Sequence, residues 1–147
     1  MQRKPGGYRK PSDEQRRLSP IDKKDYAEWF RQFWTITGAS TRNHPAPFPL
    51  ELAYRLVRMF SFWGDTVLDP FCGTATTMLA AMKCGRNSTG IEIDPSYCRT
   101  AALRLRNQNQ SIFAPARLEF LRAAPGEERG ESLAEEQALF NTAPEKR

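Results

Sequence analysis

Two short stretches hold the residues whose types and spacing suit chemistry. In LDPFCGTATT (residues 68–77) a carboxylate, Asp69, is followed by a lone Gly73 and then by threonines. Glycine at such a turn lets the backbone approach a ligand closely, and the exposed N–H groups at the start of the next helix suit a carboxylate or a phosphate. In GIEIDP (residues 90–95) Glu92 stands at the end of an apolar run, where a carboxylate accepts hydrogen bonds from both hydroxyls of a ribose. A carboxylate in that position costs free energy unless it is paired or bound. A ligand with an adenosine-like end and an anionic end fits this outline, and NAD and S-adenosyl-L-methionine both have one. A dinucleotide loop needs G-x-G-x-x-G to wrap a pyrophosphate, and only Gly73 is present. Asp69 beside the loop repels a pyrophosphate but suits a zwitterion carrying an amine and a sulfonium, so S-adenosyl-L-methionine is the better ligand.

Composition removes other chemistries. Cys72, Cys84 and Cys98 are an odd number with no CxxC spacing, and His44 is the one histidine. A disulfide framework, a thiolate zinc site and a zinc hydrolase or deaminase are therefore not expected. Serine–histidine–acid hydrolysis lacks a GxSxG elbow. The 147 residues carry a formal charge of +5 and a mean hydropathy of −0.64, and no apolar run approaches the ~20 residues of a membrane span. The basic, polar start MQRKPGGYRK has no secretory character. A cytoplasmic protein with no membrane association and no metal is expected.

The charge is unevenly placed, with 8 basic and 3 acidic residues in 1–24 against 3 basic and 6 acidic in 124–147. Residues 1–20 read as a basic flexible arm, 21–122 as the folded domain and 123–147 as an acidic flexible tail. A basic arm suits nucleic acid, although a solvated tail has the same composition.

The elements that must position the chemistry follow from periodicity. Asp22 reads as the N-cap of a helix leaving at Gly38, with Tyr26, Trp29, Phe30, Phe33 and Trp34 on one face as core. The proline-rich STRNHPAPFP (residues 40–49) is a loop. Pro49 suits the start of a helix over 50–61 with Leu52, Leu56, Met59 and Phe60 on one side. Thr66-Val67-Leu68 predicts a buried strand, residues 75–84 a helix closed by Gly85, and residues 88–93 a second strand. Asp94 and Pro95 then open a helix carrying Tyr97, Ala101 and Leu105. Strand, tight turn, helix and strand make a parallel βαβ unit of the α/β class, which binds ligands at the carboxyl ends of its strands.

HPAPFPLELAYRLVRMFSFWGDTVLDPFCGTATT followed by GIEIDPSYC resembles the amino-group DNA methyltransferases, which modify the N-6 of adenine or the N-4 of cytosine, in the β arrangement where the cofactor motifs follow the catalytic half. The resemblance covers roughly residues 19–107. It implies a partial Rossmann-like, S-adenosylmethionine-dependent methyltransferase fold with flanking helices, and double-stranded DNA as partner. Asp69, Phe71 and Gly73 would shape the pocket for the methionine portion, and Thr74 and Thr77 would reach its carboxylate. Glu92 would hold the ribose, Ile93 would pack on the adenine, and Phe48 would cover the methionine side. The sequence departs from the family where Ala75 replaces a second glycine, and where the Asp/Asn/Ser-Pro-Pro-aromatic tetrad that handles the flipped base is absent from all 147 residues. No catalytic residue is therefore expected here. Two strands are too few for a doubly wound sheet and leave edges open, so the chain reads as the cofactor-binding part, truncated or completed by a second chain. The alternative is an inactive remnant or accessory chain that binds S-adenosylmethionine, nucleic acid or a partner.

Overall fold

The computed structural model describes residues 9–39, 47–109 and 116–122; His44 and the acidic tail read over 123–147 lie outside these. The chain divides into two units, Met1–Ala116 and Arg117–Arg147, and every helix and strand below belongs to the first.

Strands β1 (Thr66–Asp69) and β2 (Asn87–Gly90) pair in parallel, in register from Thr66 with Asn87 to Asp69 with Gly90. Helix α4 (Thr76–Lys83) connects them, and α3 (Leu50–Phe60) and α5 (Pro95–Gln108) flank this core, so the α/β class and the parallel βαβ unit are as expected. The second strand is shorter than the 88–93 anticipated. Its partner runs into Pro70, which has no N–H to extend the ladder. The Ile91 N–H still donates to the Asp69 carbonyl at 2.9 Å, and Ile91 accepts from the Cys72 N–H at 2.9 Å. Gly85, at φ +69°, closes α4 in the left-handed region, as read. Asp94 caps α5 through the Ser96 N–H, with Pro95 in its first turn.

The core lies between α3 and α4, where Ala53, Val57, Ala80 and Ala81 are buried against Leu50, Tyr54 and Val67. Small residues on both helices permit close approach, and this turns α3 away from the expected orientation. Leu56 and Phe60 of the anticipated core side are exposed, and the buried pair is Ala53 and Val57. Arg86, itself buried, donates to the carbonyls of Ser61 and Cys84, which cap the ends of α3 and α4. A cation is favoured at two helix C-termini.

Helix α2 (Lys23–Trp29) starts at its Asp22 cap as expected but stops at Phe30, well before Gly38. The five-aromatic stripe therefore does not form one buried face. Trp29 is buried, whereas Tyr26 and Phe30 stack on each other in solvent and Phe33 is 87% exposed. Trp34 turns back to donate its Nε1–H to the Trp29 carbonyl at 2.8 Å, satisfying one of the carbonyls left open at the helix end. The partner of Trp29 is cationic: Arg55 and Arg58 of α3 lie 5.8 and 5.9 Å from its ring centroid. Arg55 is buried and bound to Glu28 at 2.6 Å and Glu51 at 2.7 Å.

Within the stretch read as a basic arm, Asp13–Leu18 form a short helix, α1, with a complete capping box between Ser12 and Gln15. Gln15 donates to the Trp63 carbonyl and to Asp65, each at 3.1 Å, and Arg9 pairs with Asp65 at 2.6 Å. Among the described residues no helix is long and apolar enough to cross a membrane.

Candidate cofactor-binding site

The ends of β1 and β2 are joined by one side chain. Glu92 accepts the Gly73 N–H on Oε2 at 2.9 Å, and the N–H groups of Ile93 and Asp94 on Oε1 at 2.8 and 2.9 Å. Glu92 thus ties the turn after β1 to the turn after β2. Its half-buried position is explained structurally by these three donors, yet a carboxylate offers about four acceptor positions. One position remains for a ligand hydroxyl. Asp69 accepts the Phe71 N–H on Oδ1 at 3.1 Å, and its other oxygen has no hydrogen-bond partner among the described residues. Neither Asp69 nor Glu92 faces a cation within ion-pair distance among those residues.

The local field is negative. Burial, then the Asp69 and Glu92 carboxylates, push the Cys72 thiol up to about 11. This is the environment a sulfonium or an amine is drawn to, and the opposite of what a pyrophosphate needs. Gly73 is buried at φ +50°, a conformation that glycine alone adopts without a side-chain penalty. Phe71 and Ile93 project from this end 88% and 96% exposed, as apolar surfaces for a planar ligand.

Ala75 also adopts the left-handed region, at φ 64° and ψ 37°, although it is not glycine and is fully buried. The backbone there keeps the geometry that a second glycine would give, at a cost of roughly 1–2 kcal/mol. As the residue before α4 it provides no side-chain cap, so the first-turn N–H groups of α4 stay available to an anion. Thr74 sits beside them, but its oxygens are engaged. Arg104 Nη1 donates to the Thr74 carbonyl at 3.0 Å, to Thr74 Oγ1 at 3.4 Å and to Thr76 Oγ1 at 2.9 Å. Arg104 carries no signal in the sequence, because one arginine on an amphipathic helix looks like a solvated residue.

The structure thus brings Asp69, Phe71, Gly73, Glu92 and Ile93 to the strand ends, with Thr74 on the adjoining turn. Phe48 and Thr77 lie elsewhere, lining an open apolar cleft of about 480 Å³ with Leu56, Phe60 and Val67.

A family model described as DNA methylase matches residues 3–103. Among curated proteins, the type II methyltransferase M.MjaI of Methanocaldococcus jannaschii is 50% identical over 93 residues, covering 59% of this chain and 30% of that protein. The type II methyltransferase M.MthZI of Methanothermobacter thermautotrophicus is 45% identical over 106 residues, covering 65% of this chain and 30% of that protein. The crystal structure of TTHA0409, a DNA modification methylase by its description, from Thermus thermophilus, superposes with a TM-score of 0.66 at 53% identity, covering 76% of this chain and 44% of that one. The same protein complexed with S-adenosyl-L-methionine matches at a TM-score of 0.62 and 52% identity, covering 72% of this chain and 41% of that one. This chain spans about 30% of the length of the two curated relatives. The fold is therefore a partial Rossmann-like one.

Proposed function

The chain belongs to the DNA methylase family whose model matches residues 3–103, and from that premise we propose that it holds S-adenosyl-L-methionine for a methyltransferase acting on an exocyclic amine of adenine or cytosine in double-stranded DNA. The observation that carries this reading is the pair of carboxylates, Asp69 and Glu92, gathered on one backbone turn with no opposing cation among the described residues. The likeness to a relative crystallised with this cofactor supports it.

The residues present fit the group. The open oxygen of Asp69 would accept from the amine, and the remaining acceptor position of Glu92 from a ribose hydroxyl. The N–H groups at the start of α4, with Thr74, would face the carboxylate. The exposed Ile93 and Phe71 would lose apolar surface to the adenine and the methionine portion, a favourable term of roughly 25 cal/mol per Å². Phe48 and Thr77, which line the separate cleft beside Val67, are given no contact with the ligand in this reading. When bound, the cofactor supplies a methyl group on a sulfonium, an electrophile that an amine attacks directly. This chain's contribution is to hold that group in a fixed orientation, which makes the attack effectively unimolecular.

No Asp/Asn/Ser-Pro-Pro-aromatic tetrad occurs in the 147 residues, so the target base is assigned to residues outside this chain, on a second polypeptide or further along a longer one. The exposed Lys10, Arg16, Arg17, Lys23 and Lys24 suit phosphates, and a cytoplasmic location goes with this reading. The missing tetrad equally favours a second reading, an accessory or inactive chain that binds the cofactor without transferring the methyl.

Calorimetric titration of the full chain with S-adenosyl-L-methionine and with NAD tests the core of the proposal. Heat with the first and none with the second is expected, and no heat with S-adenosyl-L-methionine overturns it. Adding DNA together with a polypeptide that carries the missing tetrad, and following radioactive methyl transfer, then separates the two readings: transfer supports the first, and binding with no transfer the second.

A further inference from the structure

We infer that Arg104 is a positioning residue for the carboxylate end of the ligand, holding Thr74 and Thr76 in place while lending that end a positive charge that no acid offsets. This inference rests on the cofactor reading above. Arg104 lies on α5, half-buried, and its Nη1 binds three neutral oxygens of the turn at 2.9 to 3.4 Å. No carboxylate lies within ion-pair distance of it among the described residues.

A half-buried guanidinium without an acid is costly, and Arg86, another cation with no acid within ion-pair distance among the described residues, shows what a structural explanation looks like. Arg86 sits at the C-termini of two helices, where the backbone field favours a cation. Arg104 sits at the N-terminus of α4, where that field opposes one. Burial also holds its pKa below the usual arginine range, with no acid to raise it. Guanidinium, uncapped helix N-terminus and open N–H groups therefore sum to one positive end. Asp69 and Glu92, on the other side of Gly73, form a negative end. A zwitterion whose amine and sulfonium face the carboxylates turns its own carboxylate toward Thr74 and Arg104. The site is dipolar in the same sense as the ligand.

The test compares the full chain with Arg104→Lys, Arg104→Gln and Arg104→Met, titrated with S-adenosyl-L-methionine and with its decarboxylated form, which keeps the amine and the sulfonium. Thermal unfolding identifies any variant that fails to fold, and Arg104→Gln keeps donors to the turn while removing the charge. About a tenfold loss for S-adenosyl-L-methionine is expected in the Gln and Met variants, less than threefold in the Lys variant, and less than twofold for the decarboxylated ligand throughout. An equal loss for both ligands makes Arg104 a packing residue only and overturns the inference, as does no loss for either. Wild-type chain that binds the decarboxylated form as tightly as the parent ligand also overturns it, while leaving the cofactor reading intact. Failure of wild type to bind either ligand sinks the cofactor reading itself.

Discussion

The strand ends and the α2–α3 face handle charge in opposite ways. At the strand ends, Asp69 and Glu92 are held by backbone N–H groups and face no cation within ion-pair distance among the described residues. On the α2–α3 face, Arg55 and Arg58 lie over the Trp29 ring, and Arg55 is further neutralised by Glu28 and Glu51. Neutral donors can orient a carboxylate but cannot cancel its field, so the first region retains an attraction for a positive ligand. The second spends its cations on the Trp29 and Tyr54 rings, the Pro20 carbonyl and two acids, and serves as scaffold. The difference teaches that carboxylates left facing no cation, more than charge itself, mark the site.

Substitutions on either side separate the two roles. Glu92→Ala removes a charge-assisted acceptor and releases Gly73, so S-adenosyl-L-methionine affinity should fall about a hundredfold, roughly 2.7 kcal/mol. The unfolding midpoint should fall as well, because three backbone N–H groups lose their acceptor, and a drop in stability with affinity retained would reverse the assignment of roles. Arg55→Ala should show the complementary pattern. It leaves Glu28 and Glu51 without their shared cation and strips the Trp29 face, costing about 2 kcal/mol by denaturant titration. The half-exposed state of both acids keeps the loss from reaching the range of fully buried pairs. Ligand affinity per folded molecule should be unchanged.

A smaller effect is expected at the turn that anchors α1. Burial pushes the Asp65 carboxyl up, but Arg9, the Phe62 N–H and Gln15 together bring it below its ordinary value. A carboxyl depressed on folding stabilises the protein above its unfolded pKa, and that contribution fades as pH falls through the folded value. Asp65→Asn should therefore cost at most about 1 kcal/mol near neutrality and nothing in strong acid, where the two unfolding curves converge. Parallel curves across the whole range would show that the ion pair with Arg9 is inert. Ala75→Gly should matter least, with relief of the left-handed strain nearly balanced by the lost methyl, which is worth about 0.8 kcal/mol. A net gain of about 0.5 kcal/mol in thermal unfolding is expected.

What could be read from sequence divides along the same line. The strand ends are built by local rules: Gly85 stops α4, Asp94 and Pro95 start α5, and Pro70 ends β1, each acting on its own neighbours. That is why Asp69, Phe71, Gly73, Thr74, Glu92 and Ile93 could be placed together at one end from sequence, whereas Phe48 and Thr77, expected with them, line another cleft. The α2–α3 face was not legible, because its logic is long-range. Nothing near Trp29 in sequence announces that Arg55, 26 positions on, will cover it, or that Trp34 will end α2 by folding back onto its carbonyl. Periodicity alone favoured Leu56 and Phe60 as core, and the alanines of α4 selected Ala53 and Val57 instead. Helix α1 was hidden by composition, since its stability comes from a capping box and contacts with the turn near Asp65.

The sharing of Glu92 among three amides has a consequence for solvent exchange. The Gly73 proton is tied to Oε2, whereas those of Ile93 and Asp94 are tied to Oε1. Oε1 is thus filled, and the one open acceptor position lies on Oε2 beside the Gly73 proton. A ribose hydroxyl that takes it displaces no amide, so deuterium uptake at residues 73, 93 and 94 should slow together as ligand arrives. Faster uptake at residue 73 alone would mean that the hydroxyl competes for the lone pair Gly73 already uses, which makes that one backbone proton a reporter of how the cofactor shares the carboxylate.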